Sequence, residues 1–329
     1  MTNRKGSRST SELRVARWRQ VNEWPYWLVK RGLVTFGSAD LLLRAVNATS
    51  SPETIAKHGW ATAVRLVAPP GDNSVIRLRF EPTSRYGLER LRKEEGLVVD
   101  VGANIGYMSI TVAKMQPSLP VLAIEPAPVT FFYFLWNCWL NRVSVRPGNP
   151  EERNESLSPG IIVAFNAAVA GRHDGRSVDL RFNPSRTQDA MLARIINSTR
   201  DLHSYARGGC GKRRASYSLS QRAVCNNYTQ TVNVPTFDVL GYLRRQGTDT
   251  VQLLKLDCEG CEVPFVLNTL ANGSKPTRPD WFINKQKVKM VVAELHQTHF
   301  QGLLPADVNF AAGAFTARGC NFRSWNVRC

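Results

Sequence analysis

Carboxylates stand at the ends of three apolar segments of this 329-residue chain, at Asp100, Glu125 and Asp257. A carboxylate accepts hydrogen bonds from hydroxyl and ammonium groups, and it can act as a general base. Asn166 and His296 end two further apolar segments. Short runs rich in Val, Leu and Ile are typical of parallel strands that are buried on both faces. Because parallel strands end at one edge of their sheet, we expect these polar side chains to converge on one site.

The first of these strands leads into a turn with two glycines. The sequence of residues 97–110 is LVVDVGANIGYMSI, so Gly102 and Gly106 lie between Asp100 and a helix expected to begin near Met108. Glycines let a backbone approach a ligand closely, and a helix N-terminus offers unpaired N–H groups. The turn lacks the G-x-G-x-x-G spacing that brings a backbone against a pyrophosphate. Its carboxylate instead favours S-adenosyl-L-methionine, which carries an ammonium group and a sulfonium.

The next two strands offer polar groups that suit the nucleoside part of such a cofactor. Glu125 stands at the tip of the second strand, where its two acceptor oxygens match the two hydroxyl groups of a ribose. Asn166 stands at the tip of the third strand, and the turn from Asn166 to Ala168 would lie beside an adenine.

Strands alternate with helical segments along most of the chain. We expect an α/β fold with an open, mostly parallel sheet that is covered by helices on both faces. Five buried strands are predicted over residues 97–100, 121–125, 161–166, 251–257 and 289–296. A helix is expected over residues 258–270, and a β ribbon is expected to close the chain between residues 315 and 327.

The segments outside this alternation define the domain organisation. Residues 1–59 are basic and carry spaced apolar positions, which predicts a partly helical N-terminal extension. Residues 60–329 form the predicted main domain, which begins with a hairpin of residues 64–67 and 75–80. Residues 184–230 have little apolar periodicity, so we expect a long insertion that is either disordered or a mobile lid.

Charge and cysteine content bound the partners and the compartment. The formal net charge is +17, which permits contacts with nucleic acid, a membrane surface or an acidic substrate. No apolar run is long enough for a transmembrane segment. The seven cysteines do not suggest a disulfide framework, so the default is a reducing, cytoplasmic compartment. Five N-x-S/T sequons leave an organelle or secretory compartment as an alternative if the N-terminus is incomplete.

Six segments of the chain carry a family resemblance. They are VVDVGANIGY, AIEPAPVTFFYFLWN, NAAVAG, VPTFDVL, LLKLDCEGCEVPFVL and VVAELH, in this order. Together they resemble the FkbM-type family of S-adenosylmethionine-dependent methyltransferases over about residues 75–329. The most specific part is the K-x-D-x-E-G-x-E signature, here Lys255 to Glu262. The resemblance implies a class I methyltransferase fold, a Rossmann-like and mostly parallel seven-stranded sheet flanked by helices.

The resemblance also implies methyl transfer, typically to a hydroxyl group of a sugar, a polyketide or another small molecule. Glu125 would hold the ribose, and Asn166 with Ala168 would border the adenine. The methionine end of the cofactor would be held by the residues of the glycine turn, namely Asp100, Gly102, Ala103, Asn104 and Gly106.

An alcohol acceptor needs a base near the transferred methyl group. Asp257 is the first candidate by position, followed by Glu259 and His296. Acids in a first helical turn, such as Glu259 and Glu262, also stabilise the helix dipole without a catalytic role, and a lone histidine is often structural. These carboxylates could bind a divalent cation, but no second acidic cluster accompanies them, so no metal is predicted. Cys258 and Cys261 lack the second cysteine pair of a zinc site.

Two other functions stay open at this stage. The basic charge would suit an RNA or nucleic-acid methyltransferase or binder, although the fourth strand lacks the Asn/Asp-Pro-Pro-Tyr turn that grips a flipped base. A non-catalytic relative that binds the cofactor as a scaffold is the second alternative. The sequence does not define the acceptor or the oligomeric state.

Overall fold

The apolar segments form the central strands of a sheet in the computed structural model of the chain. The structure describes residues 46–49, 64–68, 86–91, 96–150, 156–169, 177–182, 194–196, 230–248, 250–258, 261–268, 282, 284–294, 305–323 and 326–328. Its strands are β1 (Val46–Thr49), β2 (Arg65–Ala68), β3 (Leu97–Val101), β4 (Val121–Ile124), β5 (Ser144–Gly148), β6 (Ile161–Phe165), β7 (Ser177–Phe182), β8 (Arg194–Ile196), β9 (Gln230–Pro235), β10 (Val251–Leu256), β11 (Val288–Glu294), β12 (Asn321–Arg323) and β13 (Asn326–Arg328). Its α-helices are α1 (Tyr107–Met115), α2 (Pro128–Leu140), α3 (Val239–Arg245), α4 (Glu262–Asn268) and α5 (Pro305–Ala317).

Within the described residues, eight strands form the main sheet, in the order β12-β13-β11-β10-β3-β4-β6-β5. All neighbours from β11 to β5 are parallel. Strand β13 is antiparallel to β11, and β12, at the edge opposite to β5, is antiparallel to β13. The predicted number of seven strands was wrong by one. The edge strand β5 is mostly exposed or half-buried, so its Ser-Val-Arg-Pro-Gly sequence lacks the apolar run that predicts a buried strand.

Alternation along β3 explains how the sheet is buried on both faces. Val98 packs into a cluster with the apolar residues of helices α1 and α2. Leu97, Val99 and Val101 pack on the opposite face with residues of α3, α4 and α5. The aromatic side chains of α2 between Phe131 and Phe134 are fully buried, so they belong to the core. Asp100 therefore projects to the α1 side of the sheet.

Two smaller sheets lie outside this main sheet. Strand β2 pairs antiparallel with β1, which precedes the predicted domain boundary at residue 59. The expected hairpin partner of β2, residues 75–80, and almost all of the predicted helical extension lie outside the described residues. Strands β8, β7 and β9 form a three-stranded antiparallel sheet. Because β8 lies within residues 184–230, part of the predicted insertion is a strand, and most of the rest lies outside the described residues.

The remaining helical expectations are met in part. The fourth strand is followed by α4, which begins at Glu262 rather than at Cys258. No helix of the described residues is both long and apolar enough to cross a membrane.

Candidate functional site

The turn between β3 and α1, residues 102–106, forms one wall of the candidate site and is called the donor turn below. Gly102, Asn104 and Gly106 all have positive φ values, of 78°, 51° and 88°. This left-handed backbone is inexpensive for glycine and tolerable for asparagine, which explains these residue types at these positions. The donor turn ends where α1 begins, with Gly106 as the residue before the helix.

Every backbone N–H group of the donor turn has an acceptor within the protein. Gly102 and Ala103 donate to the carbonyl oxygen of Ile124, and Gly106 donates to that of Ala103. Asn104 N donates to Glu125 Oε2 at 2.9 Å, and Ile105 N donates to Asn104 Oδ1 at 2.7 Å. A phosphate-binding turn instead points free N–H groups at its ligand. The geometry thus agrees with the sequence argument against a pyrophosphate.

Gly102 also brings the donor turn against the end of β10. A Cβ atom at Gly102 would lie 1.8 Å from the carbonyl oxygen of Asp257 and 3.1 Å from the Cα of Cys258. Only a residue without a side chain permits this approach. Asp257 is held there by a hydrogen bond from its N–H to the carbonyl oxygen of Val101. The first predicted base is therefore adjacent to the donor turn.

Glu125 lies directly beyond the tip of β4 and is buried. Its Oε1 accepts from the N–H of Ala127 at 2.9 Å, and its Oε2 accepts from Asn104 N. Burial raises the pKa of Glu125 to about 7, although the two backbone donors and the ammonium group of Lys255 act in the opposite direction. Each carboxylate oxygen has a second lone pair, so both could still accept from a ribose hydroxyl.

Asn166 and Ala168, which were predicted to border the adenine, follow β6. The side-chain amide of Asn166 donates to the carbonyl oxygens of Glu125 and Pro126, at 2.9 Å each. The backbone of Ala168 bonds to Pro235 and Phe237 and so links the end of β6 to the end of β9. These contacts fix the backbone between the tips of β4, β6 and β9.

Asp100 is fully buried beneath the donor turn. Its Oδ2 accepts from the hydroxyl of Ser109 at 2.6 Å, and its Oδ1 lies 3.1 Å from the Nζ of Lys255. Nζ also donates to the carbonyl oxygen of Gly102 at 2.6 Å and lies 3.8 Å from Asp257 Oδ2. Sequence reasoning assigned no role to Lys255. A lysine between Leu254 and Leu256 of a buried, mostly apolar strand was the feature that could have indicated a role for it.

The segment after β10 is held by a buried acid and a disulfide. Glu262 is fully buried, and its Oε1 accepts from the N–H of Cys258 at 2.9 Å. Cys258 and Cys261 form a disulfide, and Cys320 is also disulfide-bonded. The expectation that the cysteine spacing indicates no disulfides was therefore wrong at these positions, because the Cys258-x-x-Cys261 pair was interpreted only as half of a metal site. This finding removes the cysteine argument for a reducing compartment.

Two of the predicted catalytic candidates are not placed. Glu259 and His296 both lie outside the described residues. The structure thus brings together Asp100, the donor turn, Glu125, Asn166 and Asp257 at the carboxyl ends of neighbouring strands. In the part of the chain that the structure describes, no group of three or more His, Cys, Asp or Glu residues could hold a metal ion.

The strand order reverses direction between β3 and β10, and the polar groups collect at this switch point. Such an arrangement is typical of Rossmann-like α/β proteins, in which ligands bind beyond the carboxyl ends of the strands at the switch point. The chain belongs to the FkbM methyltransferase family: the model of the Methyltransferase FkbM domain matches residues 100–323.

Comparison with curated proteins gives partial matches. The tRNA(Phe) (4-demethylwyosine(37)-C(7)) aminocarboxypropyltransferase of Pyrococcus horikoshii is 30% identical over 99 residues, which cover 28% of this chain and 35% of that protein. Methyltransferase 1 of Beauveria bassiana is 39% identical over 51 residues, which cover 16% of this chain and 20% of that protein. The chain thus spans well under half of the length of either relative. No solved structure matches the chain.

Proposed function

We propose that the protein transfers the methyl group of S-adenosyl-L-methionine to a hydroxyl oxygen of a sugar, a glycan or another small molecule. The observation that carries this proposal is the contact between the donor turn and Asp257. Gly102 approaches the Asp257 backbone so closely that no side chain would fit between them. A donor group bound at the turn would therefore face an acceptor bound at the end of β10.

The donor half of the proposed site uses backbone and buried polar groups. Gly102, Ala103, Asn104 and Gly106 shape the wall for the methionine end, with the Asp100 carboxylate beneath them. The ionised Glu125 accepts hydrogen bonds from the ribose, and the loop from Asn166 to Ala168 borders the adenine. This assignment is supported by the saturated N–H groups of the donor turn, which suit an amino-acid end better than a phosphate.

The acceptor half of the proposed site is built around Asp257. S-adenosylmethionine supplies a methyl group that is already activated on a sulfonium, so the protein needs mainly to align the reactants. The side chain of Asp257 is 18% exposed, whereas those of Asp100 and Lys255 are almost fully buried. Asp257 is thus the accessible carboxylate of this cluster and the proposed base for the acceptor hydroxyl. Glu259 and His296 stay the alternative candidates.

The test is a transfer screen with labelled cofactor against sugars, glycans and lipid extracts. The variant is Asp257→Asn, and the matched control is Asp238→Asn. Asp238 is an exposed carboxylate that caps α3, and asparagine caps a helix equally well. We expect Asp257→Asn to slow transfer at least about a hundredfold and the control to leave it unchanged. Equal rates in parent and Asp257→Asn would exclude Asp257 as the base.

A nucleic-acid acceptor is the second candidate function. The net charge of +17 favours it, and the relative from Pyrococcus horikoshii is named for its action on a tRNA. The same screen therefore includes total RNA. Labelled RNA, together with affinity for RNA that falls steeply with salt, would favour this candidate over a small-molecule acceptor.

The relative's name also raises the question of which group is transferred. An aminocarboxypropyl group and a methyl group differ in mass, so mass spectrometry of the labelled product distinguishes them. Absence of any cofactor binding by calorimetry would exclude both kinds of transfer and a cofactor-binding scaffold as well.

A further inference from the structure

Lys255 is a buried cation whose contacts extend to both halves of the site. It lies on β10 in register with Asp100 of β3, and the two strands are parallel. Residues paired in this way project to the same face of the sheet, so Lys255 and Asp100 meet on the α1 side. The lysine is 4% exposed, so its ammonium group depends on protein partners rather than on bulk water.

The ammonium group of Lys255 makes one hydrogen bond and two ion pairs. The shortest is the hydrogen bond to the carbonyl oxygen of Gly102 at 2.6 Å. The carboxylates of Asp100 and Asp257 lie at 3.1 Å and 3.8 Å. Burial alone would lower the pKa of Lys255, but the charges of Asp100 and Asp257 and the hydrogen bond with Asp100 together raise it. The side chain is therefore charged.

Neutralising Asp100 does not by itself require the contact with Gly102. Ser109 already donates to Asp100, and a lysine that served only this carboxylate would not need the backbone of the donor turn. The bond to Gly102 instead fixes a carbonyl group in a residue whose φ is +78°. A turn that is held in this conformation before the ligand arrives loses less freedom on binding.

We propose that Lys255 is a positioning residue, which ties the donor turn and Asp257 to the buried carboxylate of Asp100 and so preorganises the methionine half of the cofactor site. This inference rests on the proposed function, because it assumes that the donor turn holds the methionine end. Lys255 itself does not touch the cofactor in this account. Its effect reaches the ligand through the Gly102 carbonyl and the donor turn.

The test compares ligands with and without the amino-acid end. S-adenosylhomocysteine carries this end, whereas methylthioadenosine has only the nucleoside and the sulfur. The affinity of each is measured by calorimetry for the parent, Asp100→Asn, Lys255→Met and the double variant Asp100→Asn/Lys255→Met. Lys255→Met alone leaves a buried carboxylate without its cation and is expected to unfold at a lower temperature. The double variant buries a neutral pair and keeps the comparison valid if the single variant fails to fold.

We expect the double variant to bind S-adenosylhomocysteine about tenfold more weakly than Asp100→Asn does, which corresponds to the loss of about one hydrogen bond. Its affinity for methylthioadenosine should stay within about twofold, since that ligand lacks the amino-acid end and depends on the donor turn only through the hydrogen bond from Asn104 to Glu125. Lys285→Met serves as the control, because Lys285 is an exposed lysine outside the site.

Equal affinities of Asp100→Asn and the double variant for S-adenosylhomocysteine would show that Lys255 only neutralises Asp100, and would overturn the inference. A parallel loss of affinity for both ligands would also overturn it, because general disruption affects both. A parent that binds neither ligand would overturn the proposed function, and this role with it. A parent that binds both, with a variant pattern other than the expected one, would overturn the role alone.

Discussion

Replacing Gly102 with alanine should lower both the stability and the cofactor affinity by more than the cost of placing alanine in left-handed backbone. The new Cβ would lie 1.8 Å from the carbonyl oxygen of Asp257, whereas ordinary van der Waals contact begins at 3.4 Å. The atom it meets belongs to the backbone, so no side chain can rotate away. The ends of β3 and β10 must therefore separate, and the donor turn moves relative to Asp257.

The matched control is Gly247→Ala. Gly247 has a φ of +67°, close to the +78° of Gly102, but a Cβ there would meet nothing within 4 Å. The control thus carries only the cost of left-handed backbone, about 1 kcal/mol. Gly102→Ala carries the same cost and in addition loses about 1–3 kcal/mol through the overlap.

The assays are urea unfolding and calorimetric titration with S-adenosylmethionine. We expect Gly102→Ala to lose at least about 1 kcal/mol more unfolding free energy than Gly247→Ala and to bind the cofactor at least about tenfold more weakly. Equal stabilities of the two variants, with normal cofactor binding by Gly102→Ala, would refute the close approach of the donor turn to β10.

Three further outcomes follow from Glu125, Gly313 and the disulfide. The affinity for S-adenosylmethionine should fall about tenfold as the pH is lowered from about 8 to about 6. Glu125 has a pKa of about 7, and only its ionised form accepts hydrogen bonds from both ribose hydroxyls. Calorimetric affinities that do not change over this range would contradict this role of Glu125. Gly313→Ala should raise the free energy of unfolding by about 0.5–1 kcal/mol, since Gly313 lies within α5 and a Cβ there would meet nothing within 4 Å. A lower free energy of unfolding in urea would contradict this open helical position. Reduction of the Cys258–Cys261 disulfide should lower the free energy of unfolding by about 2 kcal/mol, because the unfolded chain regains the entropy of the closed loop. A Cys258→Ser/Cys261→Ser variant lacks this bond, so the reductant should lower its free energy of unfolding by correspondingly less.

The positions of the polar groups at the edge of the sheet could be predicted because each follows an apolar run. Asp100, Glu125, Asn166 and Asp257 all lie where a buried parallel strand ends, and a parallel sheet brings such ends together. What each of them binds stays a prediction. The family could be predicted because six characteristic segments occur in order along the chain, the most specific of them from Lys255 to Glu262.

The features that sequence reasoning missed depend on distant partners or on local geometry. The role of Lys255 requires Asp100 and Gly102, which lie far from it in the chain. Strand β5 is an edge strand that pairs through its backbone, so its side chains carry no apolar signal. The pairing of β1 with β2 likewise joins segments that no short-range turn pattern connects.

The bond between Lys255 and Gly102 also has a consequence for the order in which the protein folds. It joins residues that are 153 positions apart in the chain. During synthesis, the segment that contains Asp100, Ser109 and α1 leaves the ribosome long before its cation does. Until β10 inserts beside β3, the Asp100 carboxylate can be buried only at a large electrostatic cost. We expect β3 to pack into the sheet only after β10 has been synthesised. In chains that stop before β10, the segment around β3 should stay accessible to water and to proteases.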